Sequence, residues 1–406
     1  MPSWPPALDH GTTGYRGKMR FHYPRTLRPG RRLAVFDSLR GLAALVVVWH
    51  HLFVLFPAPF EILYRCAPVF YSAAVWVSDQ AANAVLLFFV LSGISIRISL
   101  SNEVFSLPGS IAHYARRRAA RILPLYWLAL GWTAVLGLIY GLHDRSFSLW
   151  NLIGNLMFLQ TPSVERGKWA VPFGKNGPLW SLSYEVFFYA LLPVVLMLVG
   201  RRKKLQSSTL DILLIGSLTT SIAAIGFGWG VFANPITSFL SSWAIWMYGF
   251  VLGDLLLKPR VAYALGLPAP ISLFVLEVAR AKGLQSASLG VLVSGLCIGS
   301  LFALVYFTIN MVPAFVPQAS EALLNAVFQR VGHGSYALYL LHYPLLLAIA
   351  ELARKYSESI ALSTSCAVTA VVALALLVCP WAEKVLRDPG RRLFGVQRSR
   401  AVVPAI

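Results

Sequence analysis

Ten stretches of the chain are apolar for about the thickness of a bilayer core. They cover 35–56, 80–100, 122–142, 179–199, 210–231, 236–257, 261–279, 288–312, 335–350 and 360–380. Each predicts a membrane-spanning helix, because a backbone in hydrocarbon must satisfy its own polar groups. The stretch 261–279 carries the weakest pattern: Pro268 and Pro270 interrupt it and Glu277 lies near its end. A further segment, 150–160, is apolar but only about half a membrane thick, which predicts a re-entrant or interfacial element. The pattern as a whole predicts an all-α polytopic membrane protein of about ten transmembrane helices.

Composition agrees. Of 406 residues 57% are hydrophobic and 13% charged, with a mean hydropathy of +0.66. A soluble chain carries about a quarter charged residues. The net charge of +19 raises the question of nucleic acid, but its distribution answers it. With the N-terminus inside, the cytoplasmic segments hold 25 Lys and Arg and the outer segments 9. That bias favours both termini in the cytoplasm, an even number of spans and no nucleic-acid partner. The first 32 residues are basic and Pro-rich, with no apolar core of a signal peptide, and predict a disordered cytoplasmic tail. Residues 33–383 form the transmembrane domain and 384–406 a second basic cytoplasmic tail. Arg outnumbers Lys 26 to 9, as in GC-rich bacterial genomes; the expected location is a bacterial cytoplasmic (inner) membrane. Cys66, Cys297, Cys366 and Cys379 form no CxxC pair and are expected in the core, outside any disulfide framework or metal site. No Walker loop, HExxH or GxSxG occurs, and no internal repeat of the transporter kind is evident.

Titratable groups inside apolar runs mark functional candidates, because the bilayer makes them costly. Arg40 and His51 both lie in the first span, within FDSLRGLAALVVVWHH. Eleven residues turn a helix by ~1100°, so both project from one face, ~16 Å apart along the axis. A cation near the start of the helix and a base deep inside it suit a long anionic ligand that reacts at its far end. Asp37, three residues before Arg40, is expected as its counter-ion. His50 is turned ~100° from His51 and should face elsewhere.

Three further segments carry chemistry. In IAHYARRRAARILPLY, Arg118 and Arg121 share a helix face and join Arg116 and Arg117 in a cationic cluster. Guanidinium groups bind phosphates bidentately; the same charges also fit a positive-inside stop beside anionic lipid. In PLWSLSYEVFFYALLP, Glu185 falls at a depth close to that of His51. A carboxylate beside an imidazole would orient it for general-base work; alternatively Glu185 is a buried acid bonded to Ser181, Ser183 or an indole. In GHGSYALYLLHYP, His342 lies near mid-membrane, as a second acid/base group, a substrate contact or a core histidine held by a neighbouring hydroxyl. Trp180 and Ser183 are further candidates for substrate contact. Ser92-Gly93 reads as a close-packing point between helices.

Together these segments resemble the acyltransferase-3 family of integral membrane proteins. Its first-span Arg, ten residues and His are similar to Arg40 and His51. Its Arg-x-x-Arg pair resembles Arg118 and Arg121, followed by Ile-Leu-Pro-Leu-Tyr. Its Trp-Ser-Leu-Ser-x-Glu resembles Trp180 to Glu185, with Phe188 and Tyr189 after it. Its late Ser-Tyr-x-Leu-Tyr-x-x-His-x-Pro resembles the run from Ser335 through Tyr336, Leu338, Tyr339 and His342 to Pro344. The resemblance covers roughly residues 33–383 and implies transfer of an acyl group, commonly acetyl, to a hydroxyl. The implied donor is cytoplasmic acyl-CoA, used as a co-substrate with no tightly bound cofactor. The implied acceptors are surface glycans, peptidoglycan or small molecules such as macrolides. Arg40, Arg118 and Arg121 would then meet the CoA phosphates. His51 would act as general base or carry the acyl group itself. Some relatives add an extracytoplasmic hydrolase-like domain that this chain does not show, so a partner protein is the expected supplier where that role is needed. The competing class is a multispan transporter or flippase for an anionic lipid or glycan.

Overall fold

The computed structural model describes residues 29–100, 108–141, 144–162, 168–199, 207–227, 234–257, 287–311, 327–356 and 359–396. Among them every element is helical, apart from a single bridge between Gln160 and Ala170. In chain order the helices are α1 (Pro29–Leu55), α2 (Pro57–Cys66), α3 (Pro68–Asp79), α4 (Ala81–Ser99), α5 (Pro108–Tyr140), α6 (Leu149–Leu156) and α7 (Trp180–Val199). Then come α8 (Ser207–Phe227), α9 (Pro235–Ser241), α10 (Trp243–Leu257), α11 (Ala287–Met311), α12 (Ser335–Tyr356), α13 (Ile360–Ala373) and α14 (Cys379–Leu393). Eight helical stretches are long and apolar enough to cross a membrane. This is the architecture of a multi-pass membrane protein, and each of the eight matches a predicted span. The span predicted at 288–312 is α11. The span predicted at 261–279 lies outside the described residues, as does the tail 1–28.

Three local features differ from the sequence pattern. Residues 57–79, expected as an outer loop, form α2 and α3, each opened by a proline at its first turn, where the missing N–H has no helical partner to lose. Helix α5 begins at Pro108, well before the predicted span at 122–142, and carries Arg118 and Arg121 on the shared helix face that their spacing predicts. The helix that begins at Cys379 runs on to Leu393, past the start of the expected basic tail. Its Gly390 lies against α5: an added Cβ would come within 2.6 Å of the Ala120 carbonyl. The half-membrane segment contains α6, capped by the Ser148 hydroxyl, which accepts from the Asn151 N–H. Leu149 and Trp150 of α6 are exposed, as an interfacial element requires. The cysteines are not all core residues: Cys379 is buried, but Cys66 and Cys366 are exposed. Apolar runs in a spanning helix have an outward face too, so hydrophobicity did not place them inside.

Two apolar cores meet along α1. One joins α4, α7, α8 and α10 around Trp246, Phe188 and Phe250. Its tightest seam is α4 against α10, where a Cβ on Gly93 would lie 2.2 Å from the Trp246 carbonyl and one on Gly249 2.2 Å from that of Val90. Small residues permit this approach, and packing at that range is what holds helices together in lipid. The other core joins α1, α5, α12, α13 and α14. There Gly41 and Gly332 allow α1 to cross the segment 327–333 backbone to backbone.

Candidate active site

The segment 327–333 and the start of α12 bring Ser335 and Tyr336 beside Arg40, and α5 adds Arg118 and Arg121. With Glu185 and Tyr189 of α7 they enclose a cavity of about 90 Å³. Three guanidinium groups and one carboxylate therefore share a small, largely apolar-walled space. Arg40 donates to the Ser95 hydroxyl, to the Leu91 carbonyl at 3.4 Å and to Asp37 at 3.4 Å. Its predicted counter-ion is thus in place. Arg118 lies over two rings, 5.9 Å from Tyr114 and 6.0 Å from Tyr189. Its Nε is buried without a hydrogen-bond partner among the described residues. Neither Arg118 nor Arg121 makes an ion pair among the described residues.

Glu185 is satisfied by neutral donors. Its Oε1 accepts from the Ser92 hydroxyl at 2.5 Å and from the Tyr189 hydroxyl one turn on. Ser92 in turn accepts from the Trp246 indole at 3.1 Å. Ser92 is thus more than a packing residue, a role its place beside Gly93 concealed. Trp180 packs edge-on against Phe89 and Tyr184, with centroids 6.5 and 5.2 Å away. Ser183 is fully buried and its hydroxyl has no hydrogen-bond partner among the described residues. Neither Trp180 nor Ser183 lines the cavity. Ser181 does, and hydrogen-bonds the Tyr339 hydroxyl at 2.8 Å.

A larger cavity of about 690 Å³ adjoins the first and shares Arg118, Arg121 and Tyr336 with it. Its other polar walls are His113 and Arg117 from α5, and Glu383, Arg387 and Arg391 from α14. Glu383 is engaged: it accepts the Tyr336 and Ala337 N–H groups, both at 3.1 Å, at the start of α12, where the helix dipole favours an anion. The remaining charges are cations. Sequence reasoning missed the α14 arginines by assigning them to a tail; the 3.6-residue alternation of 379–393 was the available signal.

His51 lies further along α1, and its partner is not Glu185. Its Nδ1 is 3.0 Å from Nε2 of His342, with ring centroids 5.0 Å apart. Nδ1 of His342 is 2.7 Å from the Leu338 carbonyl, one turn back on its own helix. Tyr343 packs edge-on against His51 at 4.8 Å. His50 faces elsewhere, hydrogen-bonded to Ser78 of α3 at 2.9 Å. Equal depth had suggested a Glu185–His51 pair, but depth does not fix azimuth. Glu185 is turned towards α4, and α12 fills the place opposite His51.

Comparison with known proteins identifies the family. The family model of the acyltransferase-3 domain, described as an acyltransferase domain, matches residues 33–383. The chain belongs to this family and is an acyltransferase. It is similar to the acyltransferase MdmB of Streptomyces mycarofaciens, 27% identical over 368 residues that cover 82% of this chain and 87% of that one. It is also similar to protein 2 in the picA locus of Rhizobium radiobacter, 27% identical over 214 residues, 49% of this chain and 98% of that one. No solved structure matches it.

Proposed function

We propose that the protein transfers an acyl group, acetyl in the first instance, from cytoplasmic acyl-CoA to a hydroxyl of a glycan or small-molecule acceptor. In this reading both termini are cytoplasmic and the membrane is the bacterial inner membrane. The observation that carries it is the convergence of Arg40, Arg118 and Arg121 on one cavity, with His51 further along α1, the helix that supplies Arg40. Of the three, Arg40 has Asp37 beside it, while Arg118 and Arg121 make no ion pair among the described residues, and such guanidinium groups suit a donor rich in phosphate. The nucleotide end of the donor occupies the larger basic cavity. Its arm passes the smaller one, where Glu185 accepts hydrogen bonds from amide N–H groups. A stretch of ~16 Å along α1 separates Arg40 from His51, which is comparable with an extended pantetheine arm.

His51 then acts on the acceptor. Its imidazole takes the hydroxyl proton as the oxygen attacks the thioester carbonyl. The new C–O bond forms, the C–S bond breaks, and the thiolate that leaves recovers the proton from His51. Acyl group, proton and charge balance without any resident cofactor. The test is acetyl transfer by membranes carrying His51→Ala at matched expression. Loss of transfer with retained CoA binding is expected, and near wild-type turnover would overturn the mechanism.

A further inference from the structure

His342 plays no part in that scheme, yet it is fully buried and touches His51. Two contacts run in series from the Leu338 carbonyl to His342 Nδ1 and from His342 Nε2 to His51 Nδ1. The carbonyl oxygen can only accept, so the proton between it and His342 sits on Nδ1. A neutral imidazole carries one N–H, and the other nitrogen is then an acceptor. Nε2 of His342 therefore accepts from His51, and the proton in that 3.0 Å contact belongs to His51 Nδ1. By the same rule His51 Nε2 is left with its lone pair.

We propose that His342 is a positioning residue that fixes the tautomer of His51, so that Nε2 is the unprotonated, reactive nitrogen. The proposal rests on the reading of His51 as the base and adds which nitrogen does the work and what holds it so. A core histidine satisfied by Leu338 alone would not need a second ring on another helix at hydrogen-bonding distance. When Nε2 of His51 takes the acceptor proton, the Nδ1–H bond to His342 persists and becomes charge-assisted, which stabilises the imidazolium. His342 itself neither gains nor loses a proton. His50, bonded to Ser78, and Tyr343, packed on the ring, are the other titratable side chains against His51. Neither supplies an acceptor to its Nδ1 among the described residues; the backbone carbonyl of Val47, one turn back on α1, also accepts from the His51 ring, and His342 acts together with it.

Two measurements test this on the full-length protein in lipid bilayers. In ¹⁵N-histidine-labelled protein, with His51→Ala to assign the signals, His51 should show an imine-type Nε2 and an N–H-type Nδ1. A protonated Nε2 in the resting protein overturns the proposal whatever the activity. In the second, thiol release from acetyl-CoA is followed for His342→Met and His342→Gln. Methionine removes the acceptor that α12 supplies, and turnover should fall by ~10²-fold or more, as loss of the right tautomer does in other histidine-dependent enzymes. The donor KM should change by less than about threefold, because ground-state binding is untouched. Glutamine offers an amide oxygen near the position of Nε2 and should restore at least about tenfold of the loss. Equal rates for the two variants would reduce His342 to packing and overturn the proposal. Wild-type turnover in His51→Ala would instead overturn the functional reading, while the ¹⁵N result on the resting tautomer stands.

Discussion

Two neighbouring arginine sites on α4 and its surroundings are built in opposite ways. Arg97 is buried and ion-paired with Asp254 across the glycine-packed α4–α10 seam. Two residues earlier, Ser95 receives the Arg40 guanidinium on the side of α4 that faces the cavity. Two residues turn a helix by ~200°, so the two positions look in nearly opposite directions. On one side the positive charge is neutralised from within and the helices close over it. On the other, Arg40 has Asp37, but Arg118 and Arg121 have no ion pair among the described residues, and the helices stand apart. Burial of charge is common to both regions. What separates Arg118 and Arg121 from Arg97 is the absence of an ion pair among the described residues, together with a cavity that can take an external anion.

The comparison breaks most visibly on the structural side. Asp254→Ala leaves Arg97 buried without its carboxylate and should cost ~3–5 kcal/mol of stability, read as a lower midpoint of thermal unfolding in detergent. The double replacement Arg97→Met with Asp254→Leu should recover most of that, since an apolar pair of similar volume removes the charge altogether. An unchanged midpoint for Asp254→Ala would remove the pair from the fold's supports. On the cavity side Arg121→Ala should leave the midpoint nearly unmoved and weaken acetyl-CoA binding by ~1.5–3 kcal/mol, measured by calorimetry. A comparable fall in thermal stability would place Arg121 with Arg97 as a structural residue. The smallest effect is expected at the rim. Arg391 is half-exposed and has Asp388 at 3.8 Å, so Arg391→Ala should change donor affinity by less than ~1 kcal/mol. A larger loss there would shift the phosphate site outward onto α14.

Much of this was legible in the sequence, for a physical reason. A bilayer makes apolar length and rare charges informative, so eight spans and the pairing of Arg40 with Asp37 could be read from one dimension. The shared face of Arg40 and His51 follows from helical spacing alone. The opposite facing of His50 follows equally and is seen in its bond to Ser78. Contacts between helices were not legible. Nothing in WSLSYE says that Glu185 turns to Ser92, and nothing in LYLLHYP says that His342 meets His51. Those pairings depend on the azimuth and order of helices in the bundle, which depth and periodicity leave free. The α14 arginines were hidden for a different reason: a basic terminal stretch reads as a solvated tail unless its amphipathic period is weighed against its charge.

The central claim is that the unpaired arginines of the cavity await the phosphates of the acyl donor. Steady-state transfer by wild type and Arg118→Ala, each with acetyl-CoA and with acetyl-pantetheine, tests it directly. Only the nucleotide-bearing donor offers phosphates to a guanidinium, so the substitution should lower kcat/KM for acetyl-CoA by about 10- to 150-fold. With the truncated thioester it should leave kcat/KM within about threefold of wild type. Equal losses with both donors would contradict the account and make Arg118 a residue of the fold.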